Sequence, residues 1–294
     1  MEKFSNWRDK GTGISPFLPV DAKVSPVRKY AVNPALLAVK WPFFIALYLL
    51  ASVAPKPATK LILKLLFSVS DIDLSVEGVR KSNTREIVKH KPSKGEIVVS
   101  NVVSPLDIFV IFIISTVTSL SSIAVVIPWK NDLYAFTAWH AVSVFFLPLA
   151  SSVIQGTRIE GNILDHESLK GKLVVVFAEG TASNNKAILP LQSQCSKVLS
   201  SGVSVPTKVT VLRYYPGTLT LPIPHMTQAQ YVSKMLTLPT KAFVKVKIVP
   251  LQNVTLKACE QAFVENGLNR VELGVEQKAE FFKYFQDYSL APGK

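Results

Sequence analysis

The chain has 294 residues, of which 33 are Lys or Arg and 20 Asp or Glu, for a net charge of +13; hydrophobic residues make up 48% and charged ones 18%. With a mean hydropathy of +0.29, this composition excludes a disordered chain and leans away from an ordinary soluble domain, toward contact with lipid. The first 70 residues hold ten Lys and Arg against three acids. Basic charge set around apolar segments points to an anionic membrane surface; nucleic acid is the competing reading, which the lack of a recognised binding signature and of interleaved exposed aromatics disfavours. The length allows one large core or two modest ones. Cys195 and Cys259 have no metal-ligand spacing and read as buried free thiols in a reducing compartment.

Residues 1–30 are rich in Pro, Gly and charge without periodicity, which predicts an extended arm lying on the surface or on lipid; no cleavable signal peptide is expected. Residues 31–70 read as membrane-associated helices. The stretch Pro34 to Ala54 is long enough to cross a bilayer, yet Lys40 and Pro42 raise the cost of a straight span, so an interfacial or re-entrant segment competes with it. Two helices of the globular core are the bland alternative. Lys56, Lys60 and Lys64 then recur every four residues beside Leu61, Ile62, Leu65, Leu66 and Val69, the pattern of a cationic amphipathic helix in the headgroup plane. Basic residues flank the apolar segment on both sides, and a hairpin with both ends cytosolic satisfies that symmetry.

From Asp71 onward strands and helices alternate. Strands are predicted near 73–77, 96–100, 122–128, 172–177, 205–214 and 242–249, and helices near 106–118, 131–146, 192–200, 255–266 and 276–288. This is an α/β pattern with a largely parallel sheet over residues 71–294. The strict alternation from Phe243 to Val249 predicts an edge or one-faced strand.

Two strand ends carry the chemistry. Glu96-Ile97-Val98-Val99-Ser100 runs into Asn101-Val102-Val103-Ser104-Pro105-Leu106-Asp107, and Leu173-Val174-Val175-Val176-Phe177 runs into Ala178-Glu179-Gly180-Thr181-Ala182-Ser183. Ligands of open α/β sheets collect at such ends. Gly180 lets backbone approach a ligand, Thr181 and Ser183 can hold phosphate oxygens, and Glu179 adds a carboxylate. Taken alone, a strand followed by Glu-Gly-Thr is also an ordinary turn.

The two loops in this order, with the opening stretch Asn6 to Pro19, resemble the glycerolipid acyltransferase family of 1-acylglycerol-3-phosphate type. The likeness is to its fungal lysophosphatidic acid:oleoyl-CoA branch, also described as vacuolar protein sorting proteins. The resemblance implies a single acyltransferase-like domain that converts lysophosphatidic acid to phosphatidic acid with oleoyl-CoA as donor. It further implies a place in glycerolipid and triacylglycerol synthesis and lipid droplet formation, at the cytosolic face of the endoplasmic reticulum membrane and lipid droplet. Acyl-CoA is then a co-substrate, with no cofactor and no metal. Asp107 and Glu179 are the implied catalytic residues, and Asn101, Ser104, Arg158, Gly180, Thr181, Ser183 and Lys186 the implied substrate-binding ones. The chain departs from the family pattern at Val102, which stands where the family has its catalytic His, and at Ala178 and Ala182, in place of the usual Pro and Arg. His90, His140, His166 and His225 are isolated and read as surface or packing residues. The alternative is therefore a catalytically degenerate lipid-binding protein acting in membrane trafficking.

Overall fold

The computed structural model describes residues 2–20, 25–51, 53–144, 156–160, 166–201, 205–219 and 227–290. Its strands are β1 (Val69–Val76), β2 (Ile97–Ser100), β3 (Ile123–Trp129), β4 (Asp132–Thr137), β5 (Thr157–Arg158), β6 (Leu173–Val176), β7 (Ala187–Ile188), β8 (Thr207–Tyr215), β9 (Ala242–Pro250) and β10 (Asn269–Arg270). Eight of them form one sheet in the order β1-β9-β8-β2-β6-β3-β4-β5, while β7 and β10 pair separately. Strands β8, β2, β6 and β3 run parallel at the centre, and antiparallel pairs β8–β9, β3–β4 and β4–β5 lie toward the margins. The sheet is thus mixed, and mostly parallel where it matters for the site.

Helices α1 (Asn33–Leu50), α2 (Pro55–Leu61), α3 (Thr84–Lys89), α4 (Asp107–Ile114), α5 (Ala138–Val144), α6 (Ser196–Ser201), α7 (Gln228–Leu236), α8 (Leu256–Glu265) and α9 (Val275–Leu290) surround it. Helices α4, α5 and α7 bury one face of the sheet. Helices α6 and α8, with the buried free thiols Cys195 and Cys259, bury the other. Strands β2 and β6 are therefore covered on both faces, as runs of β-branched residues require.

Two expectations are corrected. The helix expected over 131–146 begins only at Ala138, and its last two residues lie outside the described residues. Asp132–Thr137 instead returns antiparallel to β3, through a two-residue turn in which Lys130 takes φ +50° and Trp129 faces Asp132. Leu133 and Ala135 then enter one core and Phe136 the other, a period of two. The alternating strand β9 is one-faced, with Val244, Val246 and Ile248 buried and Lys245 exposed. It is not an edge, because β1 pairs along its outer side.

Helix α1 continues through Pro42. Arg28 to Leu50 is long and apolar enough to cross a membrane by length and composition, but Leu37, Trp41, Phe44 and Leu47 pack against the domain. Lys40 points the same way and donates to the carbonyls of Leu66 (3.2 Å) and Leu236 (2.7 Å). The opposite side, with Val39, Phe43, Ile45 and Leu49 more than half exposed, carries no charge. Of the three lysines expected on one face of the next helix, Lys60 and Lys64 are exposed, while Lys56 turns inward to the Ser115 carbonyl.

The N-terminal arm packs over the strand ends. Phe17 is 1% exposed among Ala187, Leu189, Val271 and Phe281. The Asp9 carboxylate accepts from the Thr12 amide and hydroxyl, both at 2.7 Å, and from the Glu272 amide at 3.0 Å. Phe17→Ala is expected to lower stability by about 3–5 kcal/mol, the usual cost of deleting a buried ring. Chemical denaturation in detergent measures this, and an unchanged midpoint would mean that the arm is not part of the core.

Candidate functional site

Strands β2 and β6 are neighbours in parallel register, Ile97 opposite Val174 and Val99 opposite Val176, so their C-terminal ends release two loops side by side. Beyond the last ladder bond each loop has buried amides to satisfy. Glu179 satisfies one on each side. Its Oε1 accepts from the Val102 amide at 2.8 Å and its Oε2 from the Leu189 amide at 2.7 Å. The Ser183 amide adds a bond to the Val102 carbonyl at 2.9 Å. Gly180 turns this loop at φ +72°, where a Cβ would also stand 3.2 Å from the Pro128 carbonyl oxygen.

Asp107 opens α4 and holds its own loop. Oδ2 accepts from the amides of Val103 (2.6 Å) and Ser104 (2.9 Å), and Oδ1 from the Tyr214 hydroxyl at 2.6 Å. Ser104 lies 3.2 Å from the Tyr231 hydroxyl and accepts from the Leu106 amide. Asn101 faces β8, pairing both amide atoms with the Leu212 backbone at 2.8 and 3.0 Å, so it extends the sheet.

Asp107 and Glu179 are both buried. Burial is the main reason that the Asp107 carboxyl is pushed up to about 7, against the pull of its hydrogen bonds from Ser104, Tyr214 and Val103. Burial likewise raises Glu179, and lowers the ammonium of Lys278, which pulls Glu179 back. Lys278 reaches in from α9 to donate to the Thr181 hydroxyl (2.8 Å) and the Ala182 carbonyl (2.7 Å). A buried cation thus sits on the loop at Thr181 and Ala182.

The structure brings Asn101, Ser104, Asp107, Glu179, Gly180, Thr181 and Ser183 together at the paired strand ends. Ser183 closes its own turn onto the Ala187 carbonyl. Arg158 is not part of this group. It lies on edge strand β5, three strands from β6, exposed and paired with Asp132 at 2.8 Å. Lys186 is exposed on the outer side of the loop. His90 stands by Glu86 at 3.6 Å, His140 against the Phe136 ring, and His166 accepts from the Ser168 amide. His225 lies outside the described residues. Among the described residues no cluster of three His, Cys, Asp or Glu could hold a metal. Tyr214, Tyr231 and Lys278 were not picked out from the sequence. Lys278 had a signal, since it shares a helical face with Phe281, Phe282 and Phe285, where a lone lysine is out of place.

No family model matches the chain. It is 31% identical over 192 residues to "Lysophosphatidic acid:oleoyl-CoA acyltransferase 1" of Saccharomyces cerevisiae, a match that covers 65% of this chain and 60% of that protein. It is 26% identical over 240 residues, 77% of each chain, to the Schizosaccharomyces pombe protein named "Putative lysophosphatidic acid:oleoyl-CoA acyltransferase". The match thus spans less than two thirds of the first relative. Both similarities support the glycerolipid acyltransferase resemblance carried by the two loops.

Glu179→Gln offers only one acceptor where two amides need one each, leaving a buried N–H facing an N–H. It is expected to cost about 1–3 kcal/mol in denaturant unfolding. A midpoint equal to that of the wild type would contradict the bridging role.

Proposed function

We propose that this protein transfers an acyl group from acyl-CoA to the free hydroxyl of lysophosphatidic acid, forming phosphatidic acid at a membrane surface. The observation that carries this reading is an apolar cavity of about 160 Å³. Phe44 and Tyr48 of α1 form one part of its wall, Phe109 and Trp139 another, and Pro105 and Leu106, which lie between Ser104 and Asp107, a third. It joins the helix with the exposed apolar side to the loop that bears the carboxylate. A hydrocarbon chain held there has its polar end beside that loop. The names of the two relatives support the substrate pair and favour oleoyl-CoA as donor. The uncharged side of α1 supports its lying in the bilayer interface with the domain on one leaflet. The resemblance carried by the two loops favours the cytosolic face of the endoplasmic reticulum and the lipid droplet as the protein's place.

In this reaction the hydroxyl oxygen bonds to the thioester carbonyl, its proton passes to a base, and the CoA thiolate leaves. With Val102 unable to take a proton, Asp107 is the base, its affinity raised toward neutrality. Such a base works only when ionised, so the rate falls as pH drops through about 7. Recombinant membranes should consume lysophosphatidic acid and labelled oleoyl-CoA above vector background, with that acid limb. Asp107→Asn keeps an acceptor for the two amides and gives Tyr214 a donor, so it should fold and lose about 10²-fold or more in rate. Background-level turnover by the wild type would instead favour the second reading, a lipid-binding protein in membrane trafficking. That reading draws on Val102 and on the complete closure of both carboxylates.

Phe43→Glu/Leu49→Glu places two charges on the exposed side of α1. It should shift the protein from the membrane pellet to the supernatant on flotation, with its fold kept; unchanged membrane recovery would argue against the interfacial placement.

A further inference from the structure

The opening stretch Asn6 to Pro19 takes no part in the apolar cavity, yet it forms most of a second cleft of about 530 Å³ on the outer side of the loop after β6. Arg8 lines one side of it, and Asn184 and Lys186 the other; no residue is shared with the apolar cavity.

The guanidinium of Arg8 is held in place, and Lys186 extends from an anchored turn. The Arg8 Nε donates to the Gly13 carbonyl at 2.6 Å. Gly13 has φ +68°, and a Cβ there would stand 3.3 Å from a terminal guanidinium nitrogen, so the glycine makes room for that group. Lys186 follows two anchored residues. The Asn184 amide nitrogen donates to the carbonyls of Ser15 (2.7 Å) and Leu18 (3.1 Å). Asn185, at φ +70°, bonds both atoms of its amide to the Tyr214 backbone.

Among the described residues neither the terminal nitrogens of Arg8 nor Lys186 meets a carboxylate. Asp9, the adjacent acid, has its oxygens turned to Thr12 and Glu272. The Asn184 Oδ1 in the same wall is buried without a partner. Two cations without a carboxylate among the described residues, beside an unmet acceptor, form a set that an anion carrying a hydrogen-bond donor would complete.

We propose that this cleft binds a phosphate ester that also carries a hydroxyl or amino donor, and that its occupant is the phosphorylated nucleotide end of CoA. The choice of occupant rests on the acyl-transfer reading. Lysophosphatidic acid carries its phosphate on the carbon next to the one that bears the reacting hydroxyl, a short tether for a cleft that shares no wall with the apolar cavity. CoA carries its phosphates at the far end of the long pantetheine arm, so its thioester can lie at the Asp107 loop while its phosphates lie beyond it.

The test is calorimetric titration of the full-length protein in detergent with free CoA and, separately, with lysophosphatidic acid. Neither titration depends on turnover. Arg8→Gln/Lys186→Gln should weaken CoA at least tenfold and leave lysophosphatidic acid unchanged, Arg8→Lys/Lys186→Arg should retain CoA, and wild-type CoA affinity should fall as salt rises. Unchanged CoA affinity in the Gln pair, or no CoA binding by the wild type, overturns the proposal. Loss of lysophosphatidic acid affinity in place of CoA overturns the assignment to CoA. Equal thermal midpoints for wild type and variants guard against misfolding as the cause. Intact CoA binding in a protein that transfers no acyl group would sink the proposed reaction and leave this site standing.

Discussion

The site depends on one carboxylate that serves two loops. Strands β2 and β6 pair only as far as Val99 and Val176, and past that point their backbones diverge into buried turns. A buried amide without a partner costs on the order of 1–3 kcal/mol, so the turns need acceptors that the ladder no longer gives. Glu179 supplies one to Val102 and one to Leu189. Burying the charge is unfavourable in itself, and the ammonium of Lys278, brought in by α9, opposes only part of that cost. The C-terminal helix is thereby built into the strand ends, and the N-terminal arm packs over both through Phe17 and Asp9.

This constraint bears on the chemistry. Asp107 is saturated by two amides and a tyrosine hydroxyl, and in that state it shapes the turn into α4. The same turn presents Pro105 and Leu106 to the apolar cavity. Architecture and proposed reactivity therefore meet in one group: the burial that orders the loop also lifts the carboxyl toward neutrality, where it can serve as a base. Ser104 links it to the cavity wall through Tyr231.

The central strands were legible because Ile97-Val98-Val99 and Leu173–Val176 are β-branched or leucine throughout, and only a strand covered on both faces accommodates such runs. Strand β4 was not, because its turn rests on Lys130 at positive φ, a conformation that lysine does not advertise, and Leu133, Ala135 and Phe136 fit either period. The alternation of β9 told which face is wet but not which strand lies beyond it, since pairing partners far apart in sequence leave no local mark. At the site, the two loops were legible as strand ends running into polar residues and the resemblance singled out Asp107 and Glu179 within them, whereas Tyr214, Tyr231 and Lys278 arrive from distant strands and helices. Arg158 was misplaced for the converse reason: a lone charge between two motifs says nothing of the ion pair with Asp132 that claims it. The opening stretch, expected as an extended arm on the surface or on lipid, is ordered by contacts to residues more than 160 positions away.

Amide hydrogen exchange on Glu179→Ala, read by mass spectrometry, tests the shared carboxylate most directly. Segments 101–107 and 187–190 should lose protection together, while the β2 and β6 segments keep theirs. Loss confined to one of the two loops, or to neither, would contradict the claim that a single carboxylate fastens both.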